Sequence, residues 1–81
     1  MSGEPITAFG VVIKQLRKAH GYSQETLASE ANIDRTFLSQ LETGRKQPSL
    51  LTIFRLAGAL KLDVSELLKQ VEIELGSKQS T

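Results

Sequence analysis

Apolar residues recur at helical spacing in five stretches of the chain, and no stretch shows the strict alternation of a strand. Phe9, Val12, Ile13 and Leu16 define the first helix, expected from about Thr7 to His20. Gly21 supplies its left-handed stop. The four later stretches share one start signal: a polar cap follows an apolar or ring residue, and an apolar residue falls at the fourth helical position. Ser23 caps with Tyr22 folding back on Leu27, Asp34 with Ile33 on Leu38, Ser49 with Pro48 on Ile53, and Asp63 with Leu62 on Leu67. Glu66 completes a capping box with Asp63, and Gly44 closes the third helix as Gly21 closes the first. Leu50, Ile53, Phe54, Ala57 and Leu60 are expected to turn the fourth helix into the core. Leu67, Leu68, Val71 and Leu75 carry the stripe through a fifth, which Gly76 is expected to end. The reading is an all-α, compact five-helix bundle. Its one domain spans 6–75, between disordered polar tails at 1–5 and 76–81.

The stretch from Gln24 to Thr43 reads as two short helices separated only by Asn32 and Ile33. Ala28 is small where two steeply crossed helices must come close, and Asn32 tolerates the left-handed backbone of a tight turn. Leu27, Ala31, Ile33, Leu38 and Leu41 form one apolar seam. That seam leaves Arg35, Thr36, Ser39, Gln40 and Thr43 on the opposite face of the third helix, free to enter a major groove. This is a helix-turn-helix. Arg35 can grip guanine O6 and N7, and the Thr36 methyl can meet a thymine, with Ser39 and Gln40 as further base contacts. An ordinary solvated helix start is the bland alternative. Phe37 packs against the second helix or lies on a thymine or sugar; packing is favoured, because an exposed phenyl forgoes roughly 1.5 to 3 kcal/mol of burial. Gln24 stands at a helix N-terminus, which suits a phosphate, and Arg45 and Lys46 follow Gly44 in a loop beside the expected DNA face. Thr43 is expected to add a neutral phosphate bond.

Composition narrows the picture further. The chain has 81 residues, a single-domain length, and a formal net charge of only +1, so a nucleic-acid role must rest on local placement of charge. It has no cysteine, no apolar run long enough for a membrane span and no basic leader, which fits a soluble cytoplasmic protein. No cofactor, metal or small-molecule ligand is expected, and no enzymatic activity. His20 is the only histidine, the pairs Glu25 with Glu30 and Glu72 with Glu74 read as solvated faces, and Gly44-Arg45-Lys46 lacks the spacing of a phosphate-cradling loop. A chain this small buries a modest share of its surface, so a partner copy would help. Val64, Leu67, Leu68, Val71, Ile73 and Leu75 cover more of the fifth helix than one small core needs, which points to a homodimer through Leu68, Val71 and Leu75.

The run of motifs resembles the phage Cro and repressor type of helix-turn-helix protein, also called the xenobiotic-response-element family. The likeness runs from about Val12 to Leu68. It rests on Leu16-Arg17, Ser23-Gln24-Glu25-Thr26-Leu27-Ala28, Leu41-Glu42-Thr43-Gly44-Arg45, Pro48-Ser49-Leu50 and Leu60-Lys61-Leu62-Asp63-Val64-Ser65-Glu66-Leu67-Leu68. The resemblance implies a lambda-repressor-like domain that binds a palindromic operator in double-stranded DNA as a homodimer. It also implies backbone contact by Gln24, and an Arg17–Glu42 pair that ties the first helix to the third. The run Asn32-Ile33-Asp34-Arg35-Thr36-Phe37-Leu38-Ser39 is similar to controller proteins of restriction-modification systems, implying control of its own operon or of such genes. Asn32 and Lys61 stand where glycine is more usual. The competing function is a helix-turn-helix adaptor that binds protein and does not read DNA. Such an adaptor is expected to show apolar or acidic residues where this chain has Arg35, Ser39, Gln40, Arg45 and Lys46.

Overall fold

Local chemistry makes the helix starts. The structure, a computed structural model, describes residues 4–79. Its helices are α1 Glu4–Ala19, α2 Gln24–Ala31, α3 Arg35–Glu42, α4 Leu50–Ala59 and α5 Val64–Gln79, with no strand among the described residues. Ser23 Oγ accepts the Thr26 amide at 3.0 Å, Asp34 Oδ2 the Thr36 amide at 3.0 Å, and Ser49 Oγ the Thr52 amide at 3.1 Å. Glu66 Oε1 accepts the Asp63 amide at 3.1 Å, the reach-back of a capping box.

The stops are equally uniform. At the ends of α1 to α4 a residue with positive φ (Gly21, Asn32, Gly44 and Lys61) reverses the chain. In each case the next amide donates back five residues: Tyr22 to Arg17, Ile33 to Ala28, Arg45 to Gln40 and Leu62 to Ala57. These are Schellman closures. In three of them the residue after the reversal is Tyr22, Ile33 or Leu62, all packed against the core. Each then precedes the next cap directly, so one apolar side chain both ends one helix and starts another. The α3–α4 connection differs, since Arg45 takes that place and is exposed. Lys46 and Gln47 lengthen this loop into solvent.

The core gathers Ile13, Leu27, Leu38, Leu41, Leu56, Leu60 and Leu67, all fully buried, from all five helices. Helix α1 packs on α3 and α5, α2 packs on α3 and α4, and α4 closes on α5. Arg55 of α4 donates to the Asn32 carbonyl at 3.3 Å, which ties α4 to the turn between α2 and α3.

Three expectations differ from what is found. Helix α1 begins at Glu4 rather than Thr7, because Pro5 is tolerated in a first turn, where its missing N–H is not needed, and Glu4 suits the dipole there. Helix α5 runs through Gly76 to Gln79. Gly76 is not among the positive-φ residues, so it supplies no left-handed stop. Residues 1–3, 80 and 81 of the expected tails lie outside the described residues. The inner face of α4 matches its expectation in part: Ala57 and Leu60 are buried and Ile53 is half-buried against the core, whereas Leu50 and Phe54 are exposed and Thr52, Leu56 and Ala59 take inner positions. With apolar residues nearly all round, the pattern of α4 did not define one face. No described helix is long and apolar enough to cross a membrane.

Candidate nucleic-acid interface

The site begins with how α3 is held. Leu38 and Leu41 are fully buried, as are Leu27 and nearly all of Ala28 and Ala31 on α2, with Ile33 half-buried at the turn. Asn32 adopts φ 57° and ψ 47°, the left-handed conformation expected of it. Gly10 of α1 lies against the C-terminal end of α3 so closely that a Cβ there would stand 2.2 Å from the Leu41 carbonyl oxygen. Beside that contact Arg17 Nε donates to Glu42 Oε2 at 2.6 Å and Nη2 to Oε1 at 3.1 Å, while Nη1 donates to the Tyr22 carbonyl at 2.9 Å. The pair is buried, with 10% and 2% side-chain exposure. Its planar bidentate geometry fixes α3 and the start of α2 against α1. Breaking it from one side would strand a buried charge.

With α3 anchored, its outer face is determined. Arg35 and Thr36 are exposed at its N-terminal end, and Ser39 and Gln40 are half-buried one turn on. Thr43 is exposed, and its hydroxyl donates to the Ser39 and Gln40 carbonyls, which leaves the oxygen lone pairs outward. Arg45 and Lys46 are exposed in the loop. Phe37 is half-buried and packed against the core, as favoured.

Gln24 occupies a place that sequence alone does not reveal. Its Nε2 donates to Glu42 Oε1 at 3.0 Å, and its Oε1 accepts from Arg35 Nη1 at 3.4 Å. A continuous chain of hydrogen bonds thus runs from the buried Arg17–Glu42 pair to the first residue of α3. The Gln24 amide has a second N–H beyond the one given to Glu42, at the start of α2. Partners 18 and 11 residues away leave no periodic signature.

The residues expected at a dimer contact are unequal. Leu68 is 39% exposed and Leu75 half-buried, but Val71 keeps only 7% of its surface and is largely used within its own core. The large apolar exposure lies instead on α4, at Leu50, Leu51 and Phe54, with Ile73 on α5. An apolar excess was read on α5; the signal that would have found this patch is the same excess on α4. A shallow groove lined by Pro48, Ile53 and Leu68 carries apolar surface from the start of α4 to α5. Among the described residues no cluster of three acidic or histidine side chains is placed to hold a metal.

A family model described as helix-turn-helix matches residues 13–67. The chain is 38% identical over 76 residues to an immunity repressor protein of Bacillus phage phi105, covering 86% of this chain and 53% of the repressor. It therefore spans about half of that relative's length. It is 36% identical over 67 residues to the control protein C.MunI of Mycoplasma sp., covering 82% of this chain and 90% of that one. Among solved structures, the restriction-modification controller protein C.AhdI from Aeromonas hydrophila is similar, with a TM-score of 0.74 and 40% identity, over 76% of this chain and 94% of that one.

Proposed function

This chain belongs to the Cro/C1-type helix-turn-helix family of DNA-binding transcription regulators, and we propose that it reads a palindromic operator as a homodimer, with the start of α3 in the major groove. The observation that carries this reading is the outer face of α3. Arg35, Thr36, Ser39 and Gln40 are its base-contacting side chains, on a helix locked from behind by Gly10 and the Arg17–Glu42 pair. Gln24, Thr43, Arg45 and Lys46 contact phosphates and set the register. The second copy covers exposed apolar surface at Leu50, Leu51 and Phe54 of α4, continued on α5 by Leu68 and Leu75, with Val71 contributing little. Near-complete overlap with C.MunI and C.AhdI supports the controller type of regulator, acting on its own operon or on restriction-modification genes, with no enzymatic activity of its own.

Selection of binding sites from a random duplex library with the purified protein tests the reading. Two half-sites about one helical turn apart, roughly 34 to 36 Å, are expected. Recovery of no consensus would instead favour the adaptor, with the apolar face of α4 as its binding surface.

A further inference from the structure

We propose that α1 carries a second DNA-contact surface, in which Lys14 and Lys18 neutralise backbone phosphates beside the bases read by α3. The inference rests on the DNA-binding reading above and extends it to a helix outside the helix-turn-helix. Thr7, Val11, Lys14 and Lys18 follow one another at steps of four, three and four residues, which places them along one side of α1. That side borders the face through which Gly10 and Arg17 meet α3. At its N-terminal end it meets the α3–α4 loop, for a Cβ on Gly44 would lie 3.3 Å from Thr7 Oγ1. Arg45 and Lys46 follow immediately. Further along, Val11, Lys14, Gln15 and Lys18 line a shallow groove with Glu42, and Glu42 is the residue that receives Gln24. The two α1 lysines therefore lie between the loop cations and the Gln24 phosphate position.

The electrostatics favour an anion along this strip. Lys14 and Lys18 are exposed, and neither forms an ion pair among the described residues. Like charges four residues apart on a helix are mildly unfavourable when nothing neutralises them. Glu42, the acid of the groove, is already neutralised by Arg17 and does not repel a phosphate. The lysines stand about 6 Å apart along the helix axis, so each can reach a separate phosphate. Together with Arg35, Arg45 and Lys46 they amount to five of the ten basic residues of a chain with a net charge of only +1, gathered around α3.

The test uses the full chain and a duplex carrying its selected site, extended by one helical turn on each side. Affinity is measured against salt for the wild type, the double variant Lys14→Gln with Lys18→Gln, and Arg45→Gln. Glutamine preserves helix propensity, and circular dichroism checks the fold. The double variant is expected to lower the salt slope by about two units per protomer while leaving the preferred bases unchanged. A slope equal to wild type in the double variant, with Arg45→Gln lowering it, would overturn the α1 surface alone and leave these lysines to an acidic protein partner. If the wild type retained no duplex at all, both this surface and the DNA-binding reading would fall.

Discussion

Helix α3 turns Arg35, Thr36, Ser39 and Gln40 outward, whereas α4, opened by the same kind of polar cap and closed by the same reversal, turns out Leu50, Leu51 and Phe54. Their inner faces are alike, with Leu38 and Leu41 in one and Leu56 and Ala57 in the other. What differs is the cost of leaving each outer face in water. The polar groups of α3 are satisfied by solvent and can exchange it for base edges. The α4 side chains each forgo up to about 1.5 to 3 kcal/mol of burial until another protein surface covers them. Phe54 is 55% exposed and Leu50 70%, so much of that remains unrealised in the single chain. The two helices thus present outer faces of opposite chemistry, although their local construction is almost the same.

The strongest way to break the comparison is to remove the frame that holds α3. Gly10→Ala would push a methyl into the Leu41 and Glu42 carbonyls, both less than 3 Å from the added atom, so α1 and α3 must separate. A loss of about 3 kcal/mol is expected, a fall of roughly 12 to 24 °C in Tm for a domain of this size. The glycine of α4 is the contrast. A Cβ on Gly58 meets nothing within 4 Å, and Gly58→Ala should hold or raise Tm. Thermal unfolding of both variants decides whether the tight approach is specific to α3.

The outer faces come next. Phe54→Glu should shift sedimentation from dimer to monomer and weaken operator binding by about 100-fold or more, with the helical content of the monomer unchanged. If the variant still sedimented as a dimer, α4 would not be the assembly face. Arg35→Ala should leave dimerisation and Tm intact, because the cap Asp34 and the buried Leu38 and Leu41 are untouched. It should cost about 1 to 3 kcal/mol of base discrimination per half-site. Unaltered base preference in a repeated library selection would remove Arg35 from the recognition face.

How much of this division was legible in the chain depends on the range of the interactions. The caps Ser23, Asp34 and Ser49 and the reach-back of Glu66 to Asp63 were readable because each acts within three residues of itself. The outer face of α3 was readable too, since its seam of leucines leaves one polar side. The inner face of α4 was readable only in part, because Leu50 and Phe54 sit at helical spacing with the packed Ile53 and Ala57, and only the neighbours of the helix choose Thr52, Leu56 and Ala59 in their place. Gln24 was placed at a phosphate from its position at the start of α2. Its bridge to Glu42 and Arg35 depends on how three helices cross. The closeness at Gly10 is likewise a property of the α1–α3 crossing.

The smallest expected effect separates the two helix stops that lack glycine. Asn32, after α2, has φ 57°, and Lys61, after α4, has φ 63°, so both occupy the left-handed region. For most L-residues that conformation costs about 1 to 2 kcal/mol, but asparagine enters it more readily because its short amide can hydrogen-bond locally. Replacement by glycine relieves the strain and adds about 0.5 to 1 kcal/mol of backbone entropy to the unfolded chain, so the two terms partly cancel. For Lys61→Gly the strain term is larger, and a net gain of about 0.5 to 1 kcal/mol, or roughly 3 to 6 °C in Tm, is expected at fixed protein concentration. For Asn32→Gly the terms nearly balance, and Tm should move by no more than a degree or two. The backbone bonds at both stops, Ile33 to Ala28 and Leu62 to Ala57, involve no side chain of the replaced residue and survive either change. An equal rise in both variants would mean that Asn32 is as strained as Lys61. The turn between α2 and α3 would then tolerate its asparagine for the sake of the recognition helix rather than through its own local fit.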